Sequence, residues 1–271
     1  MQGYATAVRY LAAVGRGATR PHLFLCDDGC SYVVKTFVNP QGPRMIPNEW
    51  IAYRLGKLLD LPIPEARLVR IPHAVAKSAP QPANPAALAG PGPHFGSRFD
   101  RHTIAEPTPT QLAACINLDQ TADMIVFDNW IKNWDRAWRR GKNILIQRGR
   151  TSRLVLIDHG GAFTGTMWNP YTLLLDNLKR TVYWGENYRQ FVKYIDGPDP
   201  LGRPLQAVEE LPNDVIREAV SGLPESWGIS RAEVEALARY LIERKRMLRQ
   251  MVRRFIPHFP VWRSHERHSA R

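Results

Sequence analysis

The chain has 271 residues, room for one large domain or two small lobes around a substantial core. Hydrophobic residues make up 44% and charged residues 23%, and no apolar run reaches the roughly 18 residues of a membrane span, which describes a globular chain and excludes a transmembrane helix. The net charge of +12 favours a polyanionic partner, such as a nucleotide, nucleic acid, an acidic protein surface or anionic lipid, without choosing among them.

The N-terminal stretch MQGYATAVRYLAAVGRG lacks a basic segment followed by a long apolar core and a small-residue cleavage site, so no secretory leader is expected. Gly15 and Gly17 belong to a small basic turn, Gly15-Arg16-Gly17-Ala18-Thr19-Arg20, of a kind that lies over phosphates. HLFLCDDGCSYVVKTFV then reads as a hairpin, with strands over His22–Leu25 and Ser31–Val38 and a turn through Asp27, Asp28 and Gly29. Alternation puts Val33, Lys35 and Phe37 on one face. A lysine among apolar neighbours on a strand is costly unless it meets an anion, although a lysine on an edge strand also snorkels to water. Cys26, Cys30 and Cys115 form no disulfide framework or zinc spacing. They read as part-buried thiols in a reducing, cytoplasmic protein.

PNEWIAYRLGKLLDL predicts a helix, because Ile51, Leu55, Leu58 and Leu59 recur at helical spacing and Pro47 sits where a first turn tolerates it; Glu49 lies near its start. LPIPEARLVRI gives a strand ending near Ile71. Residues 74–93 are dominated by Ala and Pro, lack periodicity and predict a loop or linker. GPHFGSRFD, Gly92 to Asp100, restarts ordered structure. From Thr110 onward helical spacing prevails, over Leu112 to Leu118 and Met124 to Lys132. Trp130, Trp134 and Trp138 sit four apart and predict a helix stripe and local core.

Two short apolar strands interrupt this region, NILI from Asn143 and LVLI from Leu154. Helices are expected after them around Pro170 to Lys179, Asn187 to Ile195 and Asp214 to Ser221. A last helix spans Ser230 to Phe255, opened by a capping box of Ser230 and Glu233. RKRMLRQMVRRF and WRSHERHSAR carry much of the positive charge but no helix-turn-helix or zinc signature. They read as a solvated helix face, and nucleic acid stays a possible partner without support from a motif. A strand-rich first part over residues 1–95 and a mainly helical second part over 96–271 predict an α+β, two-lobed chain.

The chemistry lies around the two short strands. Asp158 ends one of them just before Gly160-Gly161, where the backbone lets a ligand approach closely. Asn143 leads the facing strand. A carboxylate and an amide oxygen meeting there are hard ligands for Mg²⁺, which takes few protein ligands plus substrate phosphates. Asp135, in the loop before both, is placed to accept a hydroxyl proton or orient a nucleophile. Singly, these residues have ordinary structural readings: a helix-ending aspartate, a turn aspartate, and for Glu49 a first-turn acid favoured by the helix dipole. Their common order favours a nucleotide site.

That order resembles the protein-kinase-like fold, and within it the HipA-like kinases, with the phosphoinositide kinases as more distant relatives. NWDR, ending at Asp135 and Arg136, resembles the family's catalytic loop. NILI resembles the segment of its metal-binding asparagine, and LIDHGGAF its Asp-x-Gly metal motif. DDGCSYVVKTFVNPQGPRMIPNEWIAYRLGKLLDLPIPEARLV resembles the nucleotide-binding lobe of the small stand-alone members, and GPHFGSRFD the strand and hinge that meet adenine. The resemblance implies a two-lobed kinase-like fold using ATP and Mg²⁺. Lys35 would contact phosphates and Glu49 would orient it. Gly15 and Gly17 would cover the nucleotide, and Ser97, Arg98, Phe99 and Asp100 would lie at the hinge. Asp135 and Arg136 would serve catalysis, and Asn143 and Asp158 would bind the metal. The acceptor would be a Ser or Thr hydroxyl of a protein. The alternatives are a small molecule or lipid headgroup as acceptor, or a kinase-like binding protein without turnover. Asp135 and Asn143 are eight positions apart, against five in the family's tighter D-R-H-x-x-N form, and Ala137 stands at the His position. The arginine-rich insertion, with Arg139 and Arg140, is expected to bulge outward without moving either ligand.

Overall fold

Alternating burial along the first strands curls them into a closed sheet. In this computed structural model, which describes residues 4–14, 21–80, 85–90, 92–195 and 197–260, β1 (Tyr4–Ala13), β2 (His22–Cys26), β3 (Ser31–Lys35), β4 (Ala66–Arg70) and β5 (His94–Arg98) form a barrel in the order β1-β2-β3-β5-β4. A parallel pairing of β1 with β4 closes it. Two register shifts in β1 against β2 supply local curvature. Phe24, Tyr32, Val34 and Val69 fill the interior, while Val33 and Lys35 alternate to the other face. β5 carries the barrel through to Arg98, past residue 95. The predicted second strand reached Val38, but β3 stops at Lys35. Beyond it the Phe37 amide donates to His94 Nδ1 at 2.9 Å instead of to a ladder partner, and the Thr36 hydroxyl donates to the Val38 carbonyl at 3.1 Å.

Helix α1 (Met45–Leu58) lies between this barrel and the rest of the molecule, so it is apolar on two sides. Met45, Ile46, Trp50 and Tyr53 pack on barrel residues Leu68 and Phe95. Ile51, Ala52 and Leu55 join the main helical core. The segment expected as a loop over 74–93 instead holds two short helices, α2 (His73–Lys77) and α3 (Pro85–Leu88). Alanine is the best helix former, and Ala76 and Leu88 bury against the barrel.

The second sheet, β6 (Thr103–Ala105), β7 (Ile144–Arg148) and β8 (Ser152–Leu156), packs its buried residues Ile144, Ile146, Leu154 and Leu156 against the same core as α5 (Thr121–Trp130). A short α4 (Pro109–Ala113) precedes α5. The tryptophan stripe does not form. The helix ends at Trp130, Lys132 turns into the left-handed region at φ 57°, and Trp134 and Trp138 are 42% and 54% exposed while Trp130 is buried.

Beyond the second sheet come α6 (Pro170–Lys179), α7 (Glu186–Arg189), α8 (Gly202–Glu210), α9 (Asn213–Val220) and α10 (Arg231–Val252). The helix expected over Asn187 to Ile195 is the short α7 followed by a 3₁₀ turn at Val192–Tyr194. α8 escapes sequence reading because Gly202 and Pro204 look like breakers; both sit in its first turn, where a missing amide is tolerated. α10 starts from the Ser230 and Glu233 capping box. Its basic face is largely solvated, with one exception: Arg244 is 0% exposed and donates to the carbonyls of Trp130 and Asn129 and to Asp176. The tail WRSHERHSAR lies outside the described residues. No helix among those described is long and apolar enough to cross a membrane.

Candidate functional site

Lys35 answers the question its strand position raises. Its side chain is 12% exposed, and its ammonium meets Glu49 of α1 and Asp158 Oδ1, the latter at 2.8 Å. Glu49 is buried, and its second oxygen accepts the His159 amide at 3.0 Å. One carboxylate therefore links α1, β3 and the residue after Asp158. Burial works against the ammonium, but Asp158 and Glu49 outweigh it and hold Lys35 above the ordinary lysine value. Burial also pushes Glu49 up, opposed by Lys35. At Asp158 the burial effect is overturned by the Lys35 ammonium, which holds this carboxyl well below the usual carboxylate range.

Asp158 and Asn143 both occupy the left-handed backbone region, at φ 62° and 58°. Asp and Asn tolerate it better than most residues, and part-buried bonds hold the backbone here. Asn143 opposes Ile157, whose amide donates to the Asn143 carbonyl at 3.1 Å. Arg136 straps both strands: its Nη1 donates to the carbonyls of Asn143 and Ile157, the latter at 2.9 Å. Arg136 is 0% exposed and its carboxylate partner is Asp128, at 2.8 Å from Nε. Asp128 also accepts from Asn133 Nδ2 and the Tyr188 hydroxyl, each at 3.0 Å. Burial pushes Asp128 up, and Arg136 opposes it. The other guanidinium nitrogen lies 2.8 Å from His159 Nε2. Burial, then the Arg136 charge, lowers His159 well below its ordinary value, so the ring is neutral and Nε2 accepts. Arg136 thus ties the loop to both strand ends, and His159 packs against it.

Asp135 stands beside Asn143. Its two oxygens accept from the Lys142 ammonium and from Asn143 Nδ2, the second at 3.1 Å. A Cβ on Gly161 would lie 3.8 Å from Asp135 Cβ, so the Gly-Gly segment passes directly over the loop. At Gly160 a Cβ would come 2.9 Å from Met45 Cγ, and the absent side chain lets α1 close on this segment. Asn48, beside Glu49 and 0% exposed, completes that closure. Its Nδ2 donates to the carbonyls of Gly160, Ala162 and Gly165 at 2.8–3.0 Å, and its Oδ1 accepts from Trp168 Nε1 at 2.7 Å.

Between barrel and second sheet opens a cavity of about 1460 Å³, above the roughly 300–1,000 Å³ of common ligand sites. Val33, Lys35 and Glu49 line it from one side, Leu145, Ile157 and Asp158 from the other. Ser97, Arg98, Phe99 and Asp100 all lie on its wall. The Arg98 and Phe99 amides are already bonded to the carbonyls of Glu65 and Ser31, at 2.7 and 2.8 Å. A base at this edge would use carbonyls or later amides. Asp100 caps the turn into β6, accepting the His102 amide and Gln147 Nε2, each at 2.8 Å, and these bonds lower its pKa. Gly15 and Gly17 lie outside the described residues. Val14 and Pro21, which flank their turn and are joined by a 2.9 Å bond, line the cavity.

Asn143 and Asp158 offer an amide oxygen and a carboxylate. Among the described residues no cluster of three or more His, Cys, Asp or Glu forms an all-protein metal cage. A divalent cation held by these two would take its other ligands from phosphates and water, the regime of Mg²⁺. The ammonium already drawn to Asp158 shows that the carboxylate faces positive charge, so the donor set fits such an ion. Sequence reading missed Asn48, Asp128, Lys142 and Asn187. A buried amide carries no periodic signal, and only its distant partners reveal its use.

In fold, the chain is similar to a solved Helicobacter pylori proinflammatory kinase, CtkA, at 15% identity and TM-score 0.55, covering 86% of this chain and 90% of that one. It is also similar to a Golgi casein kinase, at 11% identity and TM-score 0.51, covering 97% of this chain and 72% of that one. No curated protein sequence matches it with significance. The model of the HipA-like kinases matches residues 8–260. The fold is protein-kinase-like, and the chain belongs to the HipA-like kinase family.

Proposed function

We propose that this kinase transfers the γ-phosphoryl group of ATP, with Mg²⁺, to a Ser or Thr hydroxyl of a protein. The observation that carries the reading is Lys35 held between Glu49 and Asp158 on the wall of the large cavity, with Asn143 and Asp135 fixed next to it. Residues 1–95 act as a nucleotide-binding lobe and 96–271 as the lobe that carries the chemistry. The base enters between Val33 and Leu145, at the edge formed by Ser97 to Asp100. Lys35 turns from Asp158 toward phosphate, kept in place by Glu49. Asn143 and Asp158 hold Mg²⁺, which when bound neutralises charge on the phosphate oxygens. The acceptor hydroxyl lies against Asp135, which orients it and takes its proton. Arg136 touches no reactant and keeps the loop, Asn143 and Asp158 in register. The protein acts in the cytoplasm.

Thermal unfolding with and without Mg·ATP tests this. At about 100 times Kd, a ligand that binds only the folded chain stabilises it by about 2.7 kcal/mol. For a chain of this size that is about 5–10 °C in midpoint. Asp158→Ala removes the metal-dependent part of the rise. An equal rise in Asp158→Ala would sink the assignment.

A further inference from the structure

The chain leaves Asp135 at Arg136 and returns to Asn143 through Lys142, and one buried side chain closes that loop. Asn187 of α7 is 0% exposed. Its Nδ2 donates to the Arg136 carbonyl at 2.8 Å and the Lys142 carbonyl at 3.2 Å, and its Oδ1 accepts the Gly141 amide at 2.9 Å. Gly185, just before α7, lies so close that a Cβ there would sit 2.1 Å from the Ala137 carbonyl oxygen. The loop tip is free by comparison. Arg139 and Arg140 are 66% and 63% exposed and only loosely paired, with Glu106 at 3.3 Å and Glu186 at 3.8 Å. A closed base under an exposed tip places the Lys142 ammonium on Asp135 Oδ1, beside the Asn143 amide on the other oxygen. Ala137, nearer in sequence, has no polar side-chain group to offer.

We propose that Lys142 is a positioning residue for phosphoryl transfer, presented to Asp135 by the loop that Asn187 closes. The inference rests on the phosphotransferase reading above. In the transfer, the acceptor oxygen bonds to Pγ as the bond from Pγ to the β,γ-bridging oxygen breaks. The hydroxyl proton passes to Asp135, and ADP leaves with the electron pair of the broken bond. Lys142 fixes the carboxylate with one donor and leaves lone pairs of Asp135 directed at the hydroxyl, since a carboxylate accepts about four bonds. A purely structural role predicts little. The pair is partly exposed, at 32% and 27%, and such pairs contribute about 0–1 kcal/mol.

The test compares wild type, Lys142→Met and Lys142→Arg in ADP formation from Mg·ATP, with Asp158→Ala as background. Lys142→Met is expected to lower kcat about 100-fold, the scale of losing one charge-stabilising group, while KM for ATP stays within about threefold. Its Mg·ATP midpoint rise persists. Lys142→Arg, which keeps a cation within reach of Asp135, recovers about tenfold of the loss. Wild-type ADP formation together with a Lys142→Met kcat within about threefold of it, or a loss that Arg does not repair, overturns the inference alone. A wild type no faster than Asp158→Ala overturns the phosphotransferase reading and this inference with it.

Discussion

His94 shows what a buried titratable side chain outside the catalytic set does. It is 0% exposed, accepts the Phe37 amide through Nδ1 and donates from Nε2 to the Leu88 carbonyl at 2.8 Å. Burial pushes its pKa down to about 4. The folded chain therefore keeps His94 neutral while the unfolded chain protonates it below its ordinary value of 6.5. Unfolded chain binds the extra proton, so stability falls as pH drops from 6.5 and levels off near 4. Over that window the loss is about 3 kcal/mol at about 1.4 kcal/mol per pH unit. His159 is shifted in the same direction and adds to the slope. Urea unfolding at neutral and acid pH, on wild type and His94→Gln, separates the two: the variant loses about 3 kcal/mol less than wild type, and equal slopes would contradict the role given to His94. At this scale the sequence shows Lys35, Glu49, Asp135, Asn143 and Asp158 through their order along the chain. It does not show their supports. Asp128 lies eight residues before Arg136 on α5 and Asn187 lies far after it, and neither position differs in pattern from an ordinary buried or turn residue.

At the scale of elements, α1 and the segment after Asp158 behave as one piece. Glu49 holds the His159 amide, and Asn48 holds three carbonyls of residues 160–165 and the Trp168 indole. Arg44 adds a pairing with Glu233 of α10 and stacks over Trp168 at 4.9 Å. Asn48→Ala would strand several buried polar groups, each at about 1–3 kcal/mol. Stability should fall by about 3 kcal/mol, and amides 160–168 should exchange with solvent faster than the rest of the helical core. Unchanged exchange there would mean that the segment is held by something else. Elements with local end signals were read correctly from sequence. α6 begins at Pro170 behind an Asn169 cap, and α10 begins behind Ser230 and Glu233. Elements whose form depends on distant packing were not. The Ala and Pro tract folds into α2 and α3 because the barrel offers an apolar wall. The tryptophan spacing fails because the chain must turn at Lys132 to deliver Asp135.

At the scale of the whole molecule, a barrel and a helical body share α1 and face each other across the cavity. The kinase-like architecture persists at 11–15% identity to its solved neighbours, so it rests on burial pattern and topology more than on particular residues. Among the polar residues that mark the site by their order along the chain, Lys35, Glu49 and Asp158 line the cavity. The net charge of +12 suits an anionic ligand, and the cavity wall concentrates this need at Lys35. Transfer of label from ATP carrying radioactive γ-phosphate is the most direct measurement, on wild type and Asp135→Asn, with the Mg·ATP midpoint rise recorded for both. Wild type should release or transfer label in a Mg²⁺-dependent way. Asp135→Asn should still be stabilised by Mg·ATP but lose about 100-fold or more of the rate. Equal rates in the two proteins, or a wild type stabilised by Mg·ATP that never parts with the γ-phosphate, would contradict phosphoryl transfer at this site.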